Sequence, residues 1–170
     1  RLMNIYFDNA ATTQLDKRVL DEMIPFMVEN YGNPSSIHKH GREVKTSVEN
    51  SRNKIADILG VTPGEIFFTS GGTEADNTFI INAIYSRKIK TAITSKIEHH
   101  AVLHTLEDLE KKNVIKILYV NLDSNGHIDY NHLEELITSN PKSLISLMHG
   151  NNEIGNITNI ERVAEVCNTN

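Results

Sequence analysis

The chain has 170 residues, a formal net charge of −5 and one cysteine. An acidic chain without a basic stripe is not expected to bind nucleic acid, because it would release few counterions from a phosphate backbone. A single cysteine excludes an internal disulfide and is typical of a reducing compartment. No apolar run approaches the roughly 18 residues that a membrane span requires, so we predict a soluble, cytoplasmic protein.

The N-terminal third of the chain predicts two amphipathic helices. Asp16 is a good N-cap for the first, and Pro25 is expected to kink or divide that helix. The second is predicted over residues 40–59, where apolar side chains recur at helical spacing, and Gly60 is its expected end.

From residue 65 onward, strand-like runs alternate with helix-like runs. The strand-like runs are 65–69, 91–95, 114–120 and 143–148. The helix-like runs are 73–87, 99–112, 129–139 and 159–167, with Thr158 and Glu161 in a capping-box pattern. Such alternation predicts an α/β fold with a mainly parallel sheet and helices on both faces.

A glycine turn is the first candidate ligand site. The β-like run stops at Gly71 and Gly72, and the helical pattern begins at Thr73. Free N–H groups and the positive end of a helix dipole can bind an anion there, and the Thr73 hydroxyl can add a donor. A glycine-rich turn with no ligand is an equally open interpretation.

The spacing of this turn excludes two familiar phosphate loops. A Walker loop needs Lys and then Ser or Thr after its last glycine, where this chain has Thr73 and Glu74. A dinucleotide loop needs a third glycine, and Asp76 stands in that region. We therefore predict a single phosphate on a small cofactor.

Histidines begin the next candidate site. His99 lies at a predicted helix start, where its ring could stack on a planar cofactor or move a proton, or could simply cap the helix. His100 and His104 are four residues apart and could share a metal ion. Because no glutamate lies between them in the metalloprotease arrangement and no third ligand is evident, we predict no metal site.

An amide-rich loop follows the apolar strand at 144–147. Within it, Asn152 could hold a phenolic oxygen or a substrate carboxylate, because an amide both donates and accepts hydrogen bonds. A plain turn, rich in Asn and Gly because these residues tolerate the left-handed conformation, is an equally open interpretation. Cys167 is predicted to be a buried packing position on the last helix and not a nucleophile.

Taken together and in order, five segments resemble the cysteine desulfurases. These are fold-type-I pyridoxal 5'-phosphate (PLP) enzymes of the class-V aminotransferase family, and the resemblance is to the branch that serves iron–sulfur cluster and nitrogenase assembly. The segments are YFDNAATT (6–13), GNPSSIH (32–38), FTSGGTEADN (68–77), EHHAVL (98–103) and MHGNNEIGNI (148–157). They cover the chain nearly from end to end.

The resemblance implies a role for four residues. Gly72 and Thr73 match the pair that holds the PLP phosphate. His99 matches the imidazole that stacks on the pyridine ring and takes part in acid–base catalysis. Asn152 matches the residue that contacts the phenolic oxygen of the cofactor.

The resemblance also implies an activity, in which a homodimer converts L-cysteine to L-alanine and passes an enzyme-bound persulfide to an acceptor or scaffold protein. The Schiff-base lysine and the nucleophilic cysteine of that family are expected beyond Asn170. The chain is therefore expected to comprise an N-terminal arm at 1–15 and an incomplete PLP-binding large domain at 16–170, and to be inactive alone. A related PLP lyase or aminotransferase, such as a selenocysteine lyase, and a non-catalytic binding module are the alternatives.

Overall fold

The structure is a computed structural model and describes residues 5–169. The chain divides into two units, the first ending at Phe68 and the second beginning at Thr69. None of the helices among residues 5–169 is both long enough and apolar enough to cross a bilayer.

The first unit contains two helices, α1 at Lys17–Val28 and α2 at Lys39–Leu59, followed by a short 3₁₀ turn at Pro63–Glu65. Asp16 is confirmed as the N-cap of α1, because its Oδ1 accepts a hydrogen bond of 2.8 Å from the N–H of Arg18. Pro25 lies inside α1 without dividing it: the proline lacks one backbone donor, and the helix continues to Val28.

Gly60 is confirmed as the end of α2, in the left-handed conformation with φ of 67°. The start of the same helix is packed against the preceding loop. A Cβ placed on Gly41 would lie 2.3 Å from the carbonyl oxygen of Ser36 and 2.7 Å from that of Asn33. Only glycine lets the backbone of α2 approach that loop so closely.

The second unit contains a parallel sheet of three strands, β1 at Thr91–Thr94, β2 at Lys116–Tyr119 and β3 at Ser143–Ile145. The strand order is β2-β1-β3, so the first strand lies in the centre. Four helices complete the unit: α3 at Gly72–Arg87, α4 at His100–Lys111, α5 at Tyr130–Ser139 and α6 at Ile160–Thr169.

Each face of the sheet packs against one pair of helices. Ala92 pairs with Ile117 and Leu144, and all three belong to a buried cluster with side chains of α3 and α4. The next residue of the central strand, Ile93, belongs to a second cluster with side chains of α5 and α6. Because successive strand residues point to opposite faces, this arrangement confirms a parallel sheet with helices on both sides.

The strand predicted over 65–69 is not formed in the described part of the chain. The backbone of Ile66 is extended, with φ of −98° and ψ of 121°, but no neighbouring strand pairs with it. Phe67 is 80% exposed. The residues have β propensity, but a strand also needs a partner whose backbone groups complete its hydrogen bonds.

Two details of the last helix differ from the prediction. The N-cap is Asn159 and not Thr158, because α6 begins at Ile160 and the Oδ1 of Asn159 accepts a hydrogen bond of 2.9 Å from the N–H of Arg162. Cys167 is exposed, and the buried position is its neighbour Val166. The prediction that the cysteine is buried was therefore wrong, because the buried position is one residue earlier in the helix.

Candidate functional site

The glycine turn is bare at the start of α3. Gly71 precedes the helix with an extended backbone, φ of 166° and ψ of 179°, and Gly72 is the first helical residue. A Cβ on either glycine would meet no atom within 4 Å. Within the described residues no acceptor faces the N–H groups of Gly72 and Thr73, as expected for the first turn of a helix.

Glu74, a residue with no role predicted from the sequence, accepts two hydrogen bonds in this turn. Its Oε2 accepts hydrogen bonds from the hydroxyl of Ser70 at 2.6 Å and from the N–H of Ser70 at 2.7 Å. These two bonds, the one from the hydroxyl first, lower the pKa of the Glu74 carboxyl. The side chain thus satisfies the donor that precedes the glycines and leaves the donors after them available to a ligand.

His99 is the N-cap of α4. Its Nδ1 accepts a hydrogen bond of 3.1 Å from the N–H of Ala101. A neutral imidazole that accepts at Nδ1 carries its proton on Nε2, so the cap fixes both the tautomer and the direction of the exposed ring. The capping role considered for this histidine is therefore observed, and it leaves Nε2 for other chemistry.

The other two histidines of this helix lie close together. The ring centroids of His100 and His104 are 5.2 Å apart, in a stacked arrangement. Across residues 5–169, no group of three or more histidine, cysteine or acidic side chains could hold a metal ion.

The two asparagines of the amide-rich loop have different roles. Asn152 is exposed, and its Nδ2 donates a hydrogen bond of 3.3 Å to the carboxylate of Glu153. Asn151 is only 8% exposed. Its Oδ1 accepts hydrogen bonds from the N–H groups of Glu153 at 2.8 Å and Ile154 at 3.1 Å, and its Nδ2 donates to the carbonyl oxygen of Ile97 at 2.8 Å.

Glu98 is a second buried polar residue that sequence reasoning left without a role. Its Oε1 accepts hydrogen bonds from the hydroxyl of Ser95 at 2.7 Å and from the N–H of Met148 at 2.9 Å. Burial raises the pKa of the Glu98 carboxyl, the two hydrogen bonds oppose that effect, and the negative charge of Asp76 adds to it. A carboxyl next to a candidate site histidine was the only signal in the sequence.

The structure brings the four predicted site residues to one end of the second unit. The segments that contain His99 and Asn152 follow β1 and β3, which are neighbours in the sheet. The helices α3 and α4 pack side by side, and the Thr105 hydroxyl bonds to the amide of Asn77. Each of these two residues lies five positions after the start of its helix, so the starts of α3 and α4 are level.

A cavity of about 220 Å³ adjoins this end of the sheet. Its walls include Glu98, Met148 and Asn151 from the two bonded loops, and His127 and Tyr130 from the segment after β2. The volume is below the roughly 300 Å³ at which small-molecule sites begin. The cavity is therefore free space beside the loops and is too small to be a cofactor site.

The remaining two motifs lie in the first unit. The hydroxyls of Tyr6 and Thr12 are hydrogen-bonded to each other. The Oδ1 of Asn33 accepts a hydrogen bond of 2.9 Å from the N–H of Ser35, and the Nδ1 of His38 accepts one of 3.4 Å from the N–H of Gly41. These bonds order the motifs locally.

The sequence model of the family described as Aminotransferase class-V matches residues 5–170. The chain is 45% identical over 164 residues to a Bacillus subtilis protein named putative cysteine desulfurase IscS 1, and the match covers 95% of this chain and 43% of that one. It is 46% identical over 165 residues to the cysteine desulfurase IscS of Dictyoglomus turgidum, with 96% and 41% covered.

Solved structures match the fold closely. A NifS-like protein superposes with a TM-score of 0.92 at 43% identity, over 98% of this chain and 46% of that one. A structure described as SspA in complex with cysteine superposes with a TM-score of 0.88 at 35% identity, over 96% of this chain and 47% of that one. The chain thus spans less than half the length of each of these relatives.

Proposed function

The chain belongs to the class-V aminotransferase family, and from this premise we propose that it forms the phosphate-binding side of a PLP-dependent cysteine desulfurase. The complete enzyme would convert L-cysteine to L-alanine and leave a persulfide on an enzyme cysteine. The observation that carries the proposal is the bare start of α3, where glycines and free N–H groups stand level with the capped histidine of α4.

The residues of the glycine turn fit a phosphate. The N–H groups of Gly72 and Thr73 would donate to phosphate oxygens, and the Thr73 hydroxyl would add a third donor. The absence of side chains at Gly71 and Gly72 would let the phosphate approach the backbone closely. The dipole of α3, which is 16 residues long, would favour the negative charge.

His99 and Asn152 would act on the rest of the cofactor and on the substrate. PLP, when bound, supplies an electron sink that makes the Cα proton of an amino acid acidic. The ring of His99, held by its Nδ1, would lie against the cofactor and take part in proton transfer through Nε2. The exposed amide of Asn152 would donate to the phenolic oxygen.

The names of the relatives support L-cysteine as the substrate, and one similar structure is described as a complex with cysteine. We also propose a cytoplasmic homodimer that passes sulfur to an acceptor or scaffold protein for iron–sulfur assembly. Residues 1–15 would form an arm and residues 16–170 part of the PLP-binding domain. The 170-residue chain alone would be inactive, because none of its lysines matches the cofactor-bearing segment of the family.

Two measurements on the complete protein test the proposal. Intact mass after incubation with PLP and reduction with borohydride should reveal one covalent adduct per chain, and none on the 170-residue chain alone. Alanine formed from L-cysteine should depend on added PLP. A complete protein that forms no adduct would exclude a PLP enzyme, and activity with selenocysteine alone would indicate the related lyase.

A matched pair of variants then tests the phosphate assignment. Changing Gly72 to Val together with Thr73 to Ala should weaken PLP retention sharply. The fold should survive, because the space around Gly72 is open. Changing Gly64 to Val, at another glycine with open surroundings, should leave retention unchanged. Unchanged retention in the Gly72 and Thr73 variant would refute the assignment.

A further inference from the structure

The two loops that carry proposed site residues are held together by hydrogen bonds from side chains and not by hydrogen bonds between backbone groups. Regular pairing between β1 and β3 is extended by one bond of 3.0 Å, from the N–H of Ser146 to the carbonyl oxygen of Ile93. Past that point, no backbone hydrogen bond among the described residues links the loop at 95–99 to the loop at 148–157. The spacing of the two loops therefore depends on other groups.

Two buried side chains supply the missing links. Glu98, on the first loop, accepts the N–H of Met148 on the second at 2.9 Å. Asn151, on the second loop, donates to the carbonyl oxygen of Ile97 on the first at 2.8 Å. The bonds run in opposite directions, and both residues are 8% exposed, so water competes little for either bond.

The two residues that make these bonds are sequence neighbours of two proposed site residues. Glu98 immediately precedes His99, and Asn151 immediately precedes Asn152. Each bonded residue thus adjoins one that is proposed to contact the cofactor. The cavity of about 220 Å³ beside both side chains gives the loops room to move if the bonds are lost.

We propose that Glu98 and Asn151 are positioning residues, a reciprocal clamp that sets the separation between His99 and Asn152. The inference rests on the proposed function, because it assigns the clamp to the PLP site. Neither residue needs to contact the cofactor. Each acts by holding the neighbouring residue in place, as supporting shells do in preorganised sites.

The chemistry of each bond selects the variants. Changing Glu98 to Gln keeps a carbonyl acceptor for the N–H of Met148, whereas changing it to Ala removes that acceptor. Changing Asn151 to Asp keeps the oxygen that accepts from Glu153 and Ile154. The same change replaces the amide N–H that bonds to the carbonyl oxygen of Ile97 with a second carboxylate oxygen, so it breaks the link between the loops while keeping the bonds within the second loop, and it also adds a negative charge.

A carboxylate elsewhere in the second unit provides the matched control. The Oε1 of Glu110 accepts the N–H of Ile117 at 2.7 Å, the same kind of bond as that between Glu98 and Met148. Ile117 lies near the N-terminal end of β2, whereas the site residues follow the C-terminal ends of the parallel strands. Changing Glu110 to Ala therefore removes a carboxylate–backbone bond of similar length, at an exposed and not a buried residue, without touching the clamp.

The experiment measures two quantities in the complete protein, namely the dissociation constant of PLP and amide hydrogen exchange over residues 148–157 without PLP. In Glu98→Ala and Asn151→Asp we expect PLP to bind about tenfold more weakly or worse. Exchange in the loop should accelerate in both variants. Glu98→Gln and Glu110→Ala should stay within about threefold of the unaltered protein for PLP, with unchanged exchange in the loop.

A double variant shows whether the clamp acts through its neighbour. If Glu98 positions Asn152, then Glu98→Ala should weaken PLP binding less in an Asn152→Ala background than alone, because coupled residues are not additive. Full additivity would overturn the inference. The inference would also be overturned if Glu98→Ala matched Glu110→Ala in both PLP binding and loop exchange. It would be overturned as well if Glu98→Gln were as impaired as Glu98→Ala.

Failure of the proposed function would give a different result from failure of the clamp. An unaltered complete protein that does not bind PLP would refute that function, while the exchange measurement would still test the clamp. If Glu98→Ala does not fold, Asn151→Asp decides by the same two readouts. Unaltered exchange and affinity in that variant would overturn the inference.

Discussion

At the scale of single residues, Glu98 differs from the other carboxyl groups whose pKa is shifted. Among the described residues, hydrogen bonds lower the pKa of the exposed carboxyls of Asp16, Glu65, Glu74 and Asp123. At Glu98, burial outweighs two hydrogen bonds, and the pKa is raised. An ionised carboxylate there is disfavoured in the folded protein relative to the unfolded chain.

This difference predicts a pH dependence of stability. Because the folded pKa of Glu98 exceeds its ordinary value of 4.5, the folded state holds this proton more tightly than the unfolded state does. The resulting stability is fully present below that value and is lost as pH rises through the folded pKa. Glutamine cannot titrate. The free energy of unfolding of Glu98→Gln should therefore rise relative to the unaltered protein over this window and level off above it.

Urea unfolding of both proteins at a series of pH values measures that difference. The other titrating groups are the same in the two proteins, so their contributions cancel if the substitution leaves them undisturbed. A difference that does not change with pH would show that the carboxyl titrates normally.

His99 combines a structural and a proposed chemical role that substitution can separate. Asparagine can replace the imidazole as an N-cap, whereas alanine cannot, and loss of a cap typically costs about 1 kcal/mol. We therefore expect His99→Ala to lower the free energy of unfolding by roughly that amount and His99→Asn to change it little. Both variants should bind PLP more weakly, because neither has a ring.

Thermal or urea unfolding measures the first effect, and PLP titration of the complete protein measures the second. If His99→Asn bound PLP as tightly as the unaltered protein, the histidine would be a cap only.

At the scale of elements, the sequence predicted what local signals determine. The cap at Asp16, the stop at Gly60 and the parallel α/β pattern are encoded within a few residues, and the structure confirms them. The strand at 65–69 was not formed because pairing depends on a neighbour that local propensity does not reveal.

For the candidate site too, the sequence predicted the local features and not the contacts between distant residues. Its segments were identified from their composition, and the resemblance selected Asn152, but the structural role of Asn151 and the bond from Glu98 to a residue 50 positions away were not predicted. Those features depend on which side chains face the interior once the sheet has formed. Because Asn151 and Asn152 are adjacent and of the same type, only burial in the folded structure distinguishes the one with a structural role from the one that is exposed to a ligand.

The close contact at the start of α2 gives a prediction for a whole element. Gly41→Ala would place a Cβ 2.3 Å from the Ser36 carbonyl oxygen, a backbone atom that cannot move cheaply. We expect a loss of about 1–3 kcal/mol in the free energy of unfolding of the complete protein, as for other overpacked positions. Gly64→Ala, where a Cβ meets no atom within 4 Å, should change it by less than about 0.5 kcal/mol.

Urea unfolding of the two variants provides the comparison. Equal stability would mean that the loop before α2 relaxes around the added methyl group.

At the scale of the whole molecule, the buried side chains are unevenly distributed. Both hydrophobic clusters lie in the second unit, on the two faces of the sheet. In the first unit, α1 has no buried residue and α2 buries only Gly41 and Ala56. Apolar side chains on α1, such as Met27 and Val28, are more than half exposed.

This distribution predicts which part of the chain can fold by itself. The segment 69–170 carries both clusters and should unfold cooperatively in urea, with a slope on the order of 1 kcal/mol per molar urea. The segment 1–68 should lose its helical signal gradually, because isolated helices are marginal in water and little packing supports these two. Far-UV circular dichroism of the two segments, prepared separately, measures both. A cooperative transition in 1–68 would mean that the exposed faces of its helices find a partner, and sedimentation would then show whether that partner is a second copy.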